Sequence, residues 1–288
     1  MQLAPGETID DRYRLLTELG EGAHGVVFSA EDLRTRELVA VKFLNRSSEE
    51  LVQRLAREAM AAAQLRGTHA VHVHGLRRTR SGTHYLVMEL LHGQDFDQLL
   101  GALERRGARL SPRHLLLILR PIVDTLEVAH CQGIIHRDLK PSNIFIIDRE
   151  HGGGIRLLDF GLAKVMNAVK LTAAGMVAGT PSYIAPEVWA GNLNSVDGRS
   201  DVYAFGVIVF RALTGKMPTS LRHPMELMKW AKNGKRPSLH AERPDLPASI
   251  DAWLEKALAA EPDQRYETMR SVWVALEELI GERARASL

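Results

Sequence analysis

His136-Arg137-Asp138-Leu139-Lys140-Pro141-Ser142-Asn143 is followed, past a short apolar run and a turn, by Asp159-Phe160-Gly161. The first stretch offers a carboxylate, a lysine and an amide oxygen on one loop. The second adds a carboxylate behind an apolar strand. Such groups suit a site that takes a metal–nucleotide complex and accepts a proton from a hydroxyl. In this order and at this distance the two stretches form a specific signal.

Upstream, Gly20-Glu21-Gly22-Ala23-His24-Gly25-Val26-Val27 is a glycine loop. By itself it also fits a dinucleotide fingerprint, which needs a helix directly after the glycines. Here a β-branched strand follows, so a hairpin folded over phosphates is expected instead. Val39-Ala40-Val41-Lys42 then sets a lysine on an apolar strand. A buried, unpaired ammonium is costly, so Lys42 needs anions. Glu58 is the expected side-chain partner, with phosphate oxygens taking the remaining donors.

The periodicity changes along the chain. Strands are expected at Val26–Phe28, Leu38–Phe43 and Tyr85–Leu90, with an amphipathic helix over Ser47–Leu65. Beyond Leu91 the pattern is mostly helical. Ser111-Pro112 reads as a cap and first residue of a helix over Arg113–Cys131, which Gly133 ends. Further helices are expected at Asp201–Leu213, Pro224–Asn233, Ile250–Ala260 and Ser271–Ile280.

Bulk composition narrows the class. The 288 residues are 45% hydrophobic and 25% charged, with a formal charge of +2, an ordinary globular balance with no electrostatic case for nucleic acid or membrane. One cysteine, Cys131, excludes a disulfide framework or a cysteine-rich zinc site and suits a reducing compartment. The apolar run Leu115–Leu119 is far short of a membrane span, and Met1–Ile9 lacks the features of a signal peptide.

With these segments in order, the chain resembles the protein kinases, specifically the bacterial eukaryote-like (Hanks-type) Ser/Thr kinases. The resemblance covers about residues 12–280 and extends to Gly179-Thr180-Pro181-Ser182-Tyr183-Ile184-Ala185-Pro186-Glu187, to Ser200-Asp201-Val202-Tyr203-Ala204-Phe205-Gly206 and to Arg265. It implies an α+β bilobal fold: an extension over 1–11, an antiparallel-sheet N-lobe and hinge over 12–91, a mostly helical C-lobe over 92–280, and a tail over 281–288, with a nucleotide cleft between the lobes.

The resemblance also implies roles. Asp138 takes or orients the substrate hydroxyl proton, and Lys140 steadies the transferring phosphoryl group. Lys42 and Glu58 form the ion pair that holds phosphates. Asn143 and Asp159 hold Mg²⁺, with Mn²⁺ as an alternative ion, and ATP is the cofactor. Gly20, Gly22 and Gly25 cover the phosphates. Leu19, Val27, Ala40 and Phe145 flank adenine, with Met88 behind it and Glu89 and Leu91 in the hinge. Glu187 braces Arg265. Thr172 is the expected activation-loop phosphosite, because Thr180, Ser182 and Tyr183 stand in the substrate-facing segment. Arg137 or Lys164 would receive its charge.

Lys140 and Thr180 match the Ser/Thr rather than the Tyr pattern. Protein substrates and a transient kinase–kinase dimer are the expected partners, without nucleic acid. The expected setting is cytoplasmic, as a free-standing kinase or the cytosolic part of a longer membrane protein. The rival readings are a pseudokinase scaffold, disfavoured because Lys42, Asp138 and Asp159 are all present, and a small-molecule kinase, disfavoured by Ala185-Pro186-Glu187.

Other features carry less. Thr214-Gly215-Lys216 lacks a P-loop's first glycine, since Phe210 stands there. His72 and His74 share a strand face without further ligands, and Arg77–Arg80 reads as a charged hairpin turn.

Overall fold

The computed structural model describes residues 3–22, 25–44, 65–160, 181–191 and 196–286. The chain divides into two compact units, Met1–His92 and Gly93–Leu288.

The first unit is built on a six-stranded antiparallel sheet in the order β1-β2-β3-β4-β6-β5. Its strands are β1 (Thr8–Ile9), β2 (Tyr13–Gly22), β3 (Gly25–Asp32), β4 (Leu38–Leu44), β5 (Val73–Arg78) and β6 (His84–Glu89). Alternation sorts the side chains to two faces. Phe28, Val41, Phe43, Tyr85 and Val87 pack on one face with Ile9, Tyr13 and Leu15. The register sets Val27 opposite Lys42, Lys42 opposite Leu86 and Ala40 opposite Met88, all on the other face.

The first residues are part of this unit. Ile9 is buried in the core, Arg12 grips Asp32, and the Tyr85 hydroxyl donates to Asp10 Oδ2 at 2.6 Å. The expected run Arg77–Arg80 is half strand: Arg77 and Arg78 end β5, and the turn follows at Thr79–Gly82. Of the expected helix over Ser47–Leu65, all but Leu65 lies outside the described residues.

The second unit opens with β7 (Gly93–Asp95), which pairs with β8 (Ile144–Ile147) and through it β9 (Ile155–Leu157). Helix α1 (Phe96–Arg105) is capped by Asp95, which accepts the Gln98 N–H at 2.9 Å. Helix α2 (Pro112–Cys131) has Ser111 as its cap and Pro112 at its first position, as the sequence suggests. After it come α3 (Pro186–Trp189), α4 (Arg199–Thr214), α5 (Pro224–Asn233), α6 (Leu239–Glu242), α7 (Ile250–Ala257) and α8 (Met269–Ala286).

Helix α4 is apolar almost all round and accordingly buried: Val202, Tyr203, Phe205 and Val207–Val209 are inaccessible. Phe205 makes edge-on contacts with Trp253 of α7 and Trp273 of α8. This is the sheet unit and helical unit that the sequence implies.

Candidate active site

The loop His136–Asn143 is held by one carboxylate. Asp201, in the first turn of α4, is 1% exposed. Its Oδ2 accepts the His136 N–H at 2.9 Å and takes His130 Nε2 at 2.7 Å, and its Oδ1 accepts the Arg137 N–H at 2.9 Å. Burial alone would push the Asp201 carboxyl up, but the hydrogen bond from His130 and the backbone donor of His136 hold it below the ordinary range. Arg137 has φ 63°. A left-handed arginine costs about 1–3 kcal/mol, and the bonds to Asp201 hold it there.

His136 ties this loop to the segment before Asp159. Its Nε2 faces the Leu158 carbonyl at 2.8 Å, so it must carry the proton, and Nδ1 accepts the Asp138 N–H at 3.3 Å. The ring is therefore the neutral Nε2–H tautomer. Phe160 packs against it at 4.9 Å between centroids. Leu158 N–H also donates to the Asn143 carbonyl at 2.8 Å, and Asp159 follows with φ 55°. The two signature stretches thus share one hydrogen-bonded frame.

Within it, Lys140 Nζ lies 2.7 Å from Asp138 Oδ2. The Asn143 amide donates to the Asp138 carbonyl at 2.8 Å and to Oδ2 at 3.3 Å. These bonds fix the amide so that Oδ1 is its acceptor for a cation. They also occupy Asp138 Oδ2, which makes Oδ1 the oxygen suited to an incoming hydroxyl. The carboxylate of Asp159 and the Asn143 oxygen are hard donors, the kind Mg²⁺ prefers, so the residues fit such an ion.

In the first unit the glycines close the β2–β3 hairpin, with Gly20 opposite Val27 and Gly22 opposite Gly25. A strand follows the glycines, so the dinucleotide alternative falls. Gly25 has φ 133°, and a Cβ there would stand 1.7 Å from the Phe43 carbonyl oxygen, so no other residue fits. Gly20 differs: a Cβ would meet nothing within 4 Å. Lys42 is buried at 6% exposure on the face it shares with Val27, Ala40 and Met88.

Elsewhere in the second unit, Arg265 closes on Glu187 through two 2.7 Å bonds and donates to the carbonyls of Arg199, Ala259 and Ala260. The pair fixes the start of α3 as expected. A cavity of about 760 Å³ is lined by His130, Cys131, Lys256 and Tyr266 among others, but not by Asp138, Lys140, Asn143 or Asp159.

A family model described as the protein kinase domain matches residues 13–274. The chain belongs to the protein kinase family. The kinase is 37% identical over 269 residues to serine/threonine-protein kinase PknA of Mycobacterium tuberculosis, covering 91% of this chain and 59% of that one. It is 34% identical over 280 residues to Pkn1 of Myxococcus xanthus, covering 96% and 39%, and 32% identical over 266 residues to PrkC of Bacillus subtilis, covering 91% and 40%. The chain therefore spans about two to three fifths of the length of these curated relatives. A crystal structure of the Mycobacterium tuberculosis PknI kinase domain matches with TM-score 0.75 and 30% identity, covering 97% of this chain and all of that one. The bilobal kinase fold is that of the family.

The structure brings Asp138, Lys140 and Asn143 together and frames them with the segment leading to Asp159. Phe145 lies half-buried on β8 beside them in sequence, and Leu19 is exposed on β2. Met88 and Glu89 end β6, and the Glu89 carboxylate accepts the His72 N–H at 2.8 Å; Leu91 follows. Glu58, Lys164, Thr172 and Thr180 lie outside the described residues. His72 and His74 meet edge-on at 4.7 Å, and no group of three metal-binding side chains occurs among the described residues. The hold of Asp201 on His130 and on the loop backbone has no counterpart in the sequence reading. The one available signal was an acid opening an otherwise apolar helix.

Proposed function

We propose that this kinase transfers the γ-phosphate of ATP to serine and threonine hydroxyls of proteins, and that it phosphorylates its own Thr172 in trans through a transient kinase–kinase dimer. The observation that carries the reading is the Asp138–Lys140–Asn143 cluster. A carboxylate with one oxygen engaged and the other positioned for a hydroxyl stands beside a lysine able to meet a phosphoryl oxygen.

Asp138 orients the acceptor hydroxyl and takes its proton. Lys140 stays next to that carboxylate and meets the phosphoryl group as charge shifts toward it. A loose transition state asks mainly for such positioning and fixed charge. Asn143 and Asp159 would hold Mg²⁺, or Mn²⁺, which when bound offsets charge on the phosphates. Lys42, with Glu58 as its partner, holds phosphate oxygens. The shared face of Val27, Ala40 and Met88 supports giving that side of the sheet to ATP, with Leu19, Phe145 and the Glu89–Leu91 backbone as further contacts. The open space at Gly20 suits a backbone that approaches phosphates closely. A cytoplasmic setting belongs to the same proposal. Among the described residues no helix is long and apolar enough to cross a membrane.

The test is an acceptor panel of proteins and of small-molecule alcohols with Mg-ATP, followed by phosphosite mapping. Transfer to protein serine and threonine, and to Thr172 of an inactive copy, is expected. Transfer only to small molecules would overturn the substrate class, and an active Thr172→Ala enzyme with unchanged rate would remove the loop phosphosite.

A further inference from the structure

Arg211 sits on the buried helix α4, yet its guanidinium is spent entirely on groups from outside that helix. Nε and Nη2 take the two carboxylate oxygens of Glu104 at 2.8 and 3.3 Å. Nη1 donates to Asp97 Oδ1 and, at 3.0 Å, to the hydroxyl of Tyr183. Asp97 and Glu104 are two turns apart on α1, so they share one face of it. The Tyr183 hydroxyl passes its own proton to Met217 Sδ at 3.7 Å. It both accepts and donates, which requires a neutral phenol. Burial supports this by pushing Tyr183 up to about 12, although Arg211 pulls the other way.

We propose that Arg211 is a positioning residue for the protein substrate: it holds Tyr183, and with it the turn Pro181–Tyr183, in fixed register against α1. This rests on the kinase reading, in which residues 180–183 face the substrate. Packing alone does not explain the arrangement. A guanidinium 12% exposed loses hydration, and apolar side chains fill such space at no electrostatic cost. What the guanidinium adds is direction, because its planar fork fixes several acceptors at once. Tyr183 is 5% exposed, so the orientation of its ring constrains the backbone of the turn Pro181–Tyr183. The cluster also reaches the surface through Asp97, whose side chain is half exposed.

The experiment compares the wild type with Tyr183→Phe, Arg211→Met and the double variant. KM for a protein acceptor and KM for ATP are measured separately, together with kcat and amide hydrogen exchange over residues 181–191. Each single change is expected to raise the acceptor KM about five- to tenfold, the loss of one directional hydrogen bond, with ATP KM and kcat within about twofold. The double variant should be no worse than the worse single one, and exchange over 181–191 should quicken in both. Tyr183→Phe removes one oxygen and leaves the ring, so it keeps the test decisive even where Arg211→Met does not fold. An unchanged acceptor KM in Tyr183→Phe, multiplying single effects, or unaltered exchange in both variants would each overturn the inference. Absence of any phosphoryl transfer by the wild type would instead overturn the kinase reading itself, and with it the substrate role.

Discussion

Lys140 Nζ stands 2.7 Å from Asp138 Oδ2, on a loop whose backbone is pinned from behind by Asp201. The contact keeps a carboxylate and a cation side by side where proton and phosphoryl group would pass. Under the proposed function, Asp138→Asn preserves the shape and removes the proton acceptor. Phosphoryl transfer should fall about 100- to 10,000-fold in single-turnover assays, while ATP binding, followed by fluorescence or calorimetry, stays within a few-fold.

Asp201→Asn places an amide where three donors converge. At least one of the His136 N–H, the Arg137 N–H and His130 Nε2 then loses its acceptor. A loss of about 2–4 kcal/mol of stability is expected, with a fall in kcat larger than any change in ATP KM. Thermal unfolding and steady-state kinetics on the same preparation check both halves.

Glu187 and Arg265 form a buried bidentate pair with the arginine side chain fully enclosed. Removing one partner leaves the other charge stranded, at a cost of about 3–5 kcal/mol, which lowers the Tm by roughly 10 °C. Arg265→Met alone should show this loss. Arg265→Met combined with Glu187→Leu should recover part of it.

The two hairpin glycines should respond differently to alanine. Gly25→Ala meets the Phe43 carbonyl and an unfavourable φ, so it should destabilise the first unit by about 1–3 kcal/mol or more. Gly20→Ala has open space and should leave the Tm unchanged, any effect appearing in ATP KM. Differential scanning fluorimetry with and without Mg-ATP separates the two.

The Arg12 guanidinium holds the Asp32 carboxyl down to about 2, against an unfolded value of about 3.9. A depressed carboxyl contributes stability that is complete above about pH 4 and is lost as the pH falls toward 2. The stability gap between wild type and Asp32→Asn should therefore be constant from pH 5 to 7 and shrink between pH 4 and 2. Urea titrations across that range measure it.

The chemistry of this chain was legible where a function needs particular atoms close together in sequence. Asp138, Lys140 and Asn143 span six positions, and Gly20, Gly22 and Gly25 likewise. The Glu187–Arg265 pair came from family resemblance across a long separation. Strand β2 was expected only as the unbounded first arm of the glycine hairpin, because Tyr13–Gly22 mixes charged and apolar residues without clean alternation, and β5 only as a strand face at His72 and His74, because Gly75 and two arginines interrupt the run. Asp201 reads locally as an acid favouring a helix N-terminus. Only the fold returns His136, 65 positions earlier, to its carboxylate. Arg211 stands out within an apolar helix, but Asp97 lies 114 residues away, beyond any periodicity.

The most direct test incubates the wild type and Asp138→Asn with Mg-ATP and a generic protein acceptor, then reads intact mass and phosphosites. Phosphate on serine or threonine of the acceptor, and on Thr172, with wild type alone is the result the account predicts. Equal phosphate with both proteins, or none with either while ATP still binds, would contradict it.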